Sequence, residues 1–288
     1  MYNFNEFFER ILEHVCEGII KQNVVMVEWK HIFGMVFNDE GPLALKDELE
    51  IFHRVQKRIQ VKCPLFSMKI IACGLKILGN GHIQSQLDAC HEAPKYSDLV
   101  VGFDMVNEED FTPPIDNFLD QIYESIAKAK SEGKEFPTYL HCGESNSRDN
   151  DQLYDAIILG TKRIGHGFHL AYYPELMKVV KEKDICIECC PISNFLLGYV
   201  LDLRCHPARG FLKEGIPVTI SPDDPGFMYY EGVTLDYVYC YLAWELDMSD
   251  LKQLCQNTIT YASASDEYKK KLQEFFNEKW DKFIEELL

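Results

Sequence analysis

The sequence predicts an α/β fold, a TIM-type (β/α)8 barrel of which only seven of the eight strands are evident in this chain. Seven segments rich in Val, Ile and Phe alternate with stretches whose apolar residues recur at helical spacing, which is typical of βα units. The strand segments are nearly continuous in apolar residues, as expected for strands covered on both faces. The 288 residues contain no linker or internal repeat, so we expect one domain over residues 1–288.

The predicted strands are spread along the whole chain, at 24–29, 67–73, 99–106, 137–144, 162–168, 184–190 and 216–224. Helices are predicted at 4–21, 43–60, 114–131, 174–183, 235–246, 249–261 and 265–288. The first of these helices precedes every strand, although a helix follows a strand in βα order. Because only a closed sheet has no unpaired edge, we expect the N-terminal strand of the barrel to be absent from this chain.

Composition argues against several classes of function. The formal net charge of −17 disfavours a nucleic-acid partner, since phosphates are held mainly by Lys and Arg. No apolar run approaches the ~20 residues that cross a bilayer, and residues 1–10 lack the pattern of a signal peptide. The eleven cysteines are an odd number, and several lie in apolar strands where buried thiols are usual. We expect a cytoplasmic protein without a membrane partner, or a secreted one if a signal peptide lies upstream.

Polar residues stand at the ends of three predicted strands, where parallel barrels carry their reactive groups. The segment YLHCGES ends the fourth strand and places His141 and Glu144 in a turn that Gly143 permits. By itself this His-x-x-Glu pattern is a weak signal, because a histidine that ends an apolar strand is more often a hydrogen-bonded core residue. The function of His141 therefore depends on its neighbours in the fold.

The fifth strand carries RIGHGFHL, in which His166 lies between Gly165 and Gly167. Glycines on both sides allow the backbone or a ligand to approach closely, which a histidine kept only for packing does not need. We therefore expect a functional role for His166 and a place in the core for His169.

The last strand ends in TISPDDPGF, where Asp223 and Asp224 are adjacent. Two neighbouring carboxylates repel each other unless a cation, a hydrogen-bond donor or water relieves them, and the alternative is a surface turn. Since the strand ends of one barrel converge, the three segments together predict one pocket. Histidine and carboxylate oxygen are good zinc ligands, and a zinc-bound water loses a proton near neutral pH. The pattern predicts a metal-assisted hydrolase.

Four motifs occur in an order that resembles the adenosine deaminase family: HCGE, RIGHGF, CPISN and SPDDP. The segments DLVVGFDMVNEED and EKWDKFI look most like the adenosine deaminase-related growth factor branch. The resemblance runs from about residue 4 to the C-terminus. It implies zinc-dependent hydrolysis of adenosine or 2′-deoxyadenosine to inosine or 2′-deoxyinosine and ammonia, by attack of a zinc-bound hydroxide on C6 of the purine.

The resemblance also implies a role for each strand-end residue. His141 and Asp223 would ligate zinc, and Glu144 would donate a proton to the ring N1. His166 would orient and deprotonate the water, while Asp224 would hydrogen-bond the purine N7. The glycine before His166 stands where the related AMP deaminases usually carry Asp, which favours a nucleoside. We expect a small purine nucleoside as the partner, bound by a single chain or by a homodimer.

The sequence departs from the family at two places. Family members begin with a strand carrying His-x-His, which supplies two zinc ligands, and no His-x-His occurs in this chain. His14 and His31 are not convincing substitutes, so the Zn²⁺ ligand set, one ion per site, is incomplete. Asn107 replaces a glycine whose backbone N–H contacts the purine N3, and we predict that Asn107, Gly143 and Asp224 line the substrate pocket.

These departures leave three hypotheses open. The first is an adenosine deaminase whose N-terminal strand lies upstream of Met1. The second is a catalytically impaired relative that keeps a nucleoside pocket for binding or signalling. The third is a deaminase of another aminopurine, a hypothesis that rests on Asn107.

Overall fold

A computed structural model describes residues 3–288 and shows nine strands and eleven α-helices within them. The strands are β1 Met26–His31, β2 Phe37–Asn38, β3 Gly41–Pro42, β4 Ser67–Leu75, β5 Val100–Val106, β6 His141–Cys142, β7 Arg163–His166, β8 Cys186–Cys189 and β9 Val218–Ile220. The helices are α1 Asn5–Lys21, α2 Leu45–Lys62, α3 Gly79–Glu92, α4 Leu119–Ser131, α5 Gln152–Ile158, α6 Pro174–Glu182, α7 Pro191–Leu196, α8 Ala208–Glu214, α9 Thr234–Ala243, α10 Met248–Thr260 and α11 Asp266–Leu287.

Seven parallel strands follow one another in chain order around the sheet. β1, β4 and β5 form one part of it, and β6, β7, β8 and β9 form the other. The two parts are joined where Phe103 in β5 pairs in parallel with Thr138, just before β6. Strands β2 and β3 form a separate small hairpin. The fold class predicted from the sequence, an α/β barrel with seven evident strands, is confirmed.

A cleft of about 1500 Å³ separates the two outermost strands. Among residues 3–288, β1 and β9 each pair with one neighbouring strand only. The cleft is lined by residues of both strands and by apolar side chains of α1, α9, α10 and α11. Its polar end reaches the strand-end residues His141, His166 and Asp223. The strand ends are therefore open to the cleft.

Buried apolar side chains form two clusters that hold the strands in place. The larger one packs β5 to β9 against the helices outside them, with Phe103, Leu140 and Ile187 at its centre. The smaller one packs α1 and α2 on β4 and includes Phe52 and Ile70. A fully buried side chain of this size contributes roughly 1.5–3 kcal/mol to folding, so these clusters hold the strand ends rigidly.

Local sequence sets several helix ends. The Asp247 side chain accepts hydrogen bonds from the N–H groups of Ser249 and Asp250. The Asp250 side chain accepts the N–H of Asp247 in turn, which completes a capping box at α10. Ser265 caps α11 in the same position. Helix α8 ends at Gly215, which has a left-handed backbone with φ of 74°.

All seven predicted strands and all seven predicted helices are present; β5 to β9 are shorter than predicted, β4 is two residues longer, and β1 is shifted by two residues. Residues 115–118 of the predicted helix 114–131 form a 3₁₀ turn before α4. Helices α3, α5, α7 and α8 were not predicted. Three of them have only six or seven residues, and α3 begins with Gly-Asn-Gly, so none carries a strong helical pattern.

Two further expectations concern cysteines and membranes. All eleven cysteines lie within the described residues and are free thiols, most of them buried. Within residues 3–288, every helix is too short or too polar to cross a bilayer.

Candidate active site

His141 is held at the start of the two-residue strand β6 by the wholly buried carboxylate of Asp104. One oxygen of Asp104 accepts the backbone N–H groups of His141 (2.8 Å) and Met105 (2.7 Å), and the other lies 2.6 Å from His141 Nδ1. Burial raises the pKa of Asp104, but His141 and Lys30 outweigh that effect and hold the pKa below its usual value. A carboxylate can only accept hydrogen bonds, so a neutral His141 ring carries its hydrogen on Nδ1. The Nε2 lone pair is left free for a ligand.

Alternating charges continue from Asp104 through the interior of the barrel. Lys30 Nζ lies 2.7 Å from Asp104 and 2.8 Å from Glu188. Arg163 donates to Glu188 at 2.5 Å and to Glu28 on the opposite strand. Burial raises the pKa of Glu188, yet Lys30 and Arg163 lower it well below its ordinary range. Every charge in this line has an opposite partner, which such burial requires.

Glu144 lies in the turn after β6, and its carboxyl group is largely buried. Burial, with the neighbouring Asp223 next in importance, raises its pKa to about 9. The carboxyl group is therefore protonated at neutral pH and can donate a proton. Its Oε1 lies 3.3 Å from His166 Nδ1 and 3.4 Å from the amide nitrogen of Asn194.

Glu109 fixes the turn that carries Glu144. Its carboxylate accepts the N–H groups of Gly143 (3.0 Å) and Glu144 (2.6 Å) and the side-chain amide of Asn150 (3.0 Å). Gly143 has φ of 73°, a conformation that favours glycine. The N–H of Gly143 is thus already bound to Glu109, and its contribution to a substrate pocket stays a prediction.

His166 ends β7 in a strained backbone conformation. Its φ is 61°, in the left-handed region that few residues other than glycine adopt, and such strain is often found at functional sites. Gly165 allows the close approach of β6, since an added Cβ would lie 2.8 Å from His141 Nδ1 and 3.1 Å from the His141 Cα. Burial, followed by the proximity of His141, lowers the pKa of His166 to about 4. The ring is therefore neutral at neutral pH.

Asp223 and Asp224 follow β9 and face the cleft. Asp223 also has a left-handed backbone, with φ of 59°, and accepts a hydrogen bond from Ser193 Oγ at 2.7 Å. Burial opposes ionisation of Asp223, but His166 and Ser193 keep its pKa below the ordinary value. Burial and the charge of Asp223 raise the pKa of Asp224. The pKa values of the two adjacent carboxyl groups are thus shifted in opposite directions.

Three donor atoms gather where these strands end. One ligand atom each from His141, His166 and Asp223 lie within 4.8 Å of one another, and His166 Nε2 is 3.9 Å from Asp223 Oδ2. Imidazole nitrogen and carboxylate oxygen are donor types that zinc prefers in proteins. The donor set therefore fits Zn²⁺.

The structure brings together five of the seven predicted site residues: His141, Glu144, His166, Asp223 and Asp224. Asn107 directly follows β5, where its side-chain oxygen accepts the N–H of Ile77 at 3.2 Å, and its place in the substrate pocket stays a prediction. His169 is buried with its Nδ1 3.2 Å from the Ser145 carbonyl, as expected for a core histidine.

Sequence reasoning missed the residues that orient the site. Asp104, Lys30 and Glu188 are charged residues inside apolar strands, and this signal could have found them. Asn194 belongs to the motif CPISN, which was used for the resemblance but not interpreted further.

Comparison with known proteins identifies relatives. A protein-family model described as adenosine deaminase matches residues 4–279. Adenosine deaminase 2 from Dictyostelium discoideum is 34% identical over 297 residues, covering 96% of this chain and 52% of that protein. Adenosine deaminase 2-A from Danio rerio is 29% identical over 288 residues, covering 96% and 56%. The chain spans about half the length of the curated relatives it matches.

A solved structure shares the fold. An amidohydrolase from Burkholderia ambifaria, with bound Zn, superposes with a TM-score of 0.82 at 18% identity, covering 99% of this chain and 76% of that one. Parallel strands with His, Glu and Asp at their C-terminal ends place the protein in the class of (β/α) barrels that carry their reactive groups at this face. Because the family model spans almost the entire chain, the protein belongs to the adenosine deaminase family. The family predicted from the four motifs is confirmed.

Proposed function

We propose that this chain catalyses the zinc-dependent hydrolytic deamination of adenosine and 2′-deoxyadenosine to inosine and 2′-deoxyinosine, with release of ammonia. Family membership and the names of its relatives support the reaction class. The observation that carries the proposal is the buried Glu144 carboxyl group, protonated at neutral pH and adjacent to a cluster of zinc-type donors.

The donor cluster supports a metal at the strand ends. His141, through the nitrogen that Asp104 leaves free, and Asp223 would hold the ion. When bound, Zn²⁺ would supply a water whose pKa falls toward neutrality.

Glu144 supplies the proton that the purine ring needs. Water adds to C6 of the purine while a ring nitrogen gains a proton, and the bond from C6 to the exocyclic nitrogen then breaks as ammonia leaves. A general acid contributes most when its pKa is near the working pH, and a carboxyl group with a pKa of about 9 is protonated at neutrality. His166, buried beside Glu144, orients the attacking water.

Asp224 is suited to recognise the purine. The purine N7 is an acceptor, so its partner must carry a hydrogen. Burial and the charge of Asp223 raise the pKa of Asp224, which is the direction that a donor to N7 requires.

A second function is supported by the number of ligands. Within residues 3–288 the cluster offers three donors, one of them from His166, to which we assign a different task. A zinc site with two protein ligands would bind the ion weakly. The second candidate is therefore a nucleoside-binding relative that lacks a complete metal site.

Turnover of a substrate panel tests the proposal. The purified chain, supplied with Zn²⁺, would be incubated with adenosine, 2′-deoxyadenosine, adenine, AMP and methylthioadenosine, and followed by ultraviolet absorbance and ammonia release. We expect turnover of the two adenosine nucleosides. Binding of adenosine without ammonia release would favour the second candidate, and preference for another aminopurine would reject adenosine as the substrate.

A further inference from the structure

A line of buried hydrogen bonds leads from the backbone of α8 to the ring of His166. The Ala208 N–H lies 3.1 Å from His206 Nδ1, and His206 Nε2 lies 3.1 Å from Asn194 Oδ1. Asn194 Nδ2 then lies 3.2 Å from His166 Nδ1. The four residues are at least 97% buried, so water does not compete for these bonds. Each bond therefore restricts the hydrogen positions of the next.

The backbone of Ala208 determines where His206 carries its hydrogen. A backbone N–H can only donate, so His206 Nδ1 must accept. Burial, followed by the proximity of His166, lowers the pKa of His206 to about 3, so the ring is neutral and has a single hydrogen. That hydrogen sits on Nε2. The thiol of Cys189, 3.9 Å from Nε2, is only a weak partner and can accept.

His206 in turn determines which way the Asn194 amide points. Nε2–H donates to an oxygen, so the amide oxygen of Asn194 faces His206 and the amide nitrogen faces the site. This nitrogen has two hydrogens and two acceptors, His166 Nδ1 at 3.2 Å and Glu144 Oε1 at 3.4 Å. Asn194 thus contacts both the acid and the histidine of the site.

His166 Nδ1 accepts a hydrogen bond from the Asn194 amide and therefore carries no hydrogen. We propose that Asn194 is a positioning residue that holds His166 as the tautomer with its hydrogen on Nε2, the nitrogen 3.9 Å from Asp223 Oδ2. In this tautomer His166 is a hydrogen-bond donor to an oxygen atom at the site. It is neither a metal ligand through Nε2 nor a base at that atom.

This inference narrows the role predicted from the sequence. Orientation of water agrees with a donor at His166 Nε2, whereas deprotonation of water by that atom requires the other tautomer. The link to water rests on the proposed function. The tautomer itself does not, because it follows from hydrogen bonds within the protein.

Nitrogen NMR of histidine tests the tautomer without any activity measurement. The chain would be labelled with ¹⁵N-histidine, and His166 would be assigned by comparison with His166→Gln. In the metal-free wild type we expect a pyridine-like Nδ1 and a pyrrole-like Nε2. A pyrrole-like Nδ1 would overturn the proposal, whether or not the protein deaminates adenosine.

Substitution of Asn194 is the second test of the His166 tautomer. In Asn194→Asp the carboxylate only accepts, so it takes hydrogens from both His206 Nε2 and His166 Nδ1, and the His166 Nδ1 signal should shift from pyridine-like to pyrrole-like. Asn146→Asp is the matched control, because Asn146 is exposed and bonds to the Tyr199 carbonyl, and it should leave the His166 signals unchanged. An unchanged His166 tautomer in folded Asn194→Asp would contradict the proposal. If that variant does not fold, the wild-type spectrum alone decides between the two tautomers.

Addition of Zn²⁺ shows whether His166 Nε2 is a hydrogen-bond donor or a metal ligand. We expect the zinc-loaded wild type to keep the pyrrole-like Nε2 of His166, while the Nε2 signal of His141 shifts. Loss of the His166 Nε2 hydrogen on zinc binding would overturn the assignment. Retention of that hydrogen without turnover of adenosine would leave the tautomer intact and reject the proposed function.

Discussion

Glu144 should make the metal-free protein less stable as the pH rises, and Glu144→Gln should remove this effect. Burial of the carboxyl group raises its pKa from 4.5 in the unfolded chain to about 9 in the folded protein. The folded state therefore retains a proton that the unfolded chain loses. The stabilising contribution is complete below about pH 4.5 and is lost as the pH rises toward about 9.

The size of the effect follows from the pKa difference. Each unit corresponds to about 1.4 kcal/mol, so the two and a half units between 4.5 and neutral pH amount to about 3.5 kcal/mol. Glutamine keeps the shape of the carboxyl group and can still accept from Asn194, but it does not ionise. We expect Glu144→Gln to be more stable than the wild type near neutral pH by up to this amount.

Urea unfolding of both proteins near pH 5 and near neutral pH measures the difference. Other groups with raised pKa values, such as Asp224 and Asp236, affect both proteins equally and cancel. Glu182→Gln, at an exposed glutamate outside the site, is the control and should follow the wild type. An equal loss of stability with pH in the wild type and Glu144→Gln would refute the reasoning.

Three further predictions concern the residues around the site. Arg163→Met leaves Glu28 without its ion-pair partner and Glu188 with Lys30 alone, and should cost about 3–5 kcal/mol in urea unfolding. Part of the loss should be recovered by adding Glu188→Gln, and a cost below about 1 kcal/mol would contradict the buried network. Asp104→Asn removes the acceptor that orients His141 and should weaken Zn²⁺ binding about 10–100-fold in a chelator competition, whereas unchanged affinity would refute that role. Gly165→Ala places a Cβ against His141 and should lower the free energy of unfolding by about 1–3 kcal/mol, and a neutral effect would contradict the close approach of the strands.

The parallel barrel could be predicted from the sequence because strands buried on both faces are nearly continuous in apolar residues. The segments around Ile70, Phe103 and Ile187 show this pattern and form β4, β5 and β8. The short helices could not be predicted, since α7 and α8 are held by packing and by their end residues rather than by a repeated apolar pattern.

The reactive residues could be predicted because strand ends converge in a parallel barrel, and the glycines beside His166 indicated close approach. Their orientation could not be predicted. The partners that fix His141 and Glu144 are Asp104 and Glu109, which belong to β5 and the loop after it. Only the three-dimensional arrangement brings these carboxylates beside the turn that follows β6.

The most direct test of the central claim compares adenosine turnover by the wild type and Glu144→Gln after loading with Zn²⁺, with the metal content of both proteins measured. We expect both proteins to bind zinc and the substitution to lower turnover by at least about a hundredfold, because it removes the proton of the general acid. Equal turnover by the two zinc-loaded proteins, or zinc-loaded wild type that releases no ammonia from adenosine, would contradict this claim.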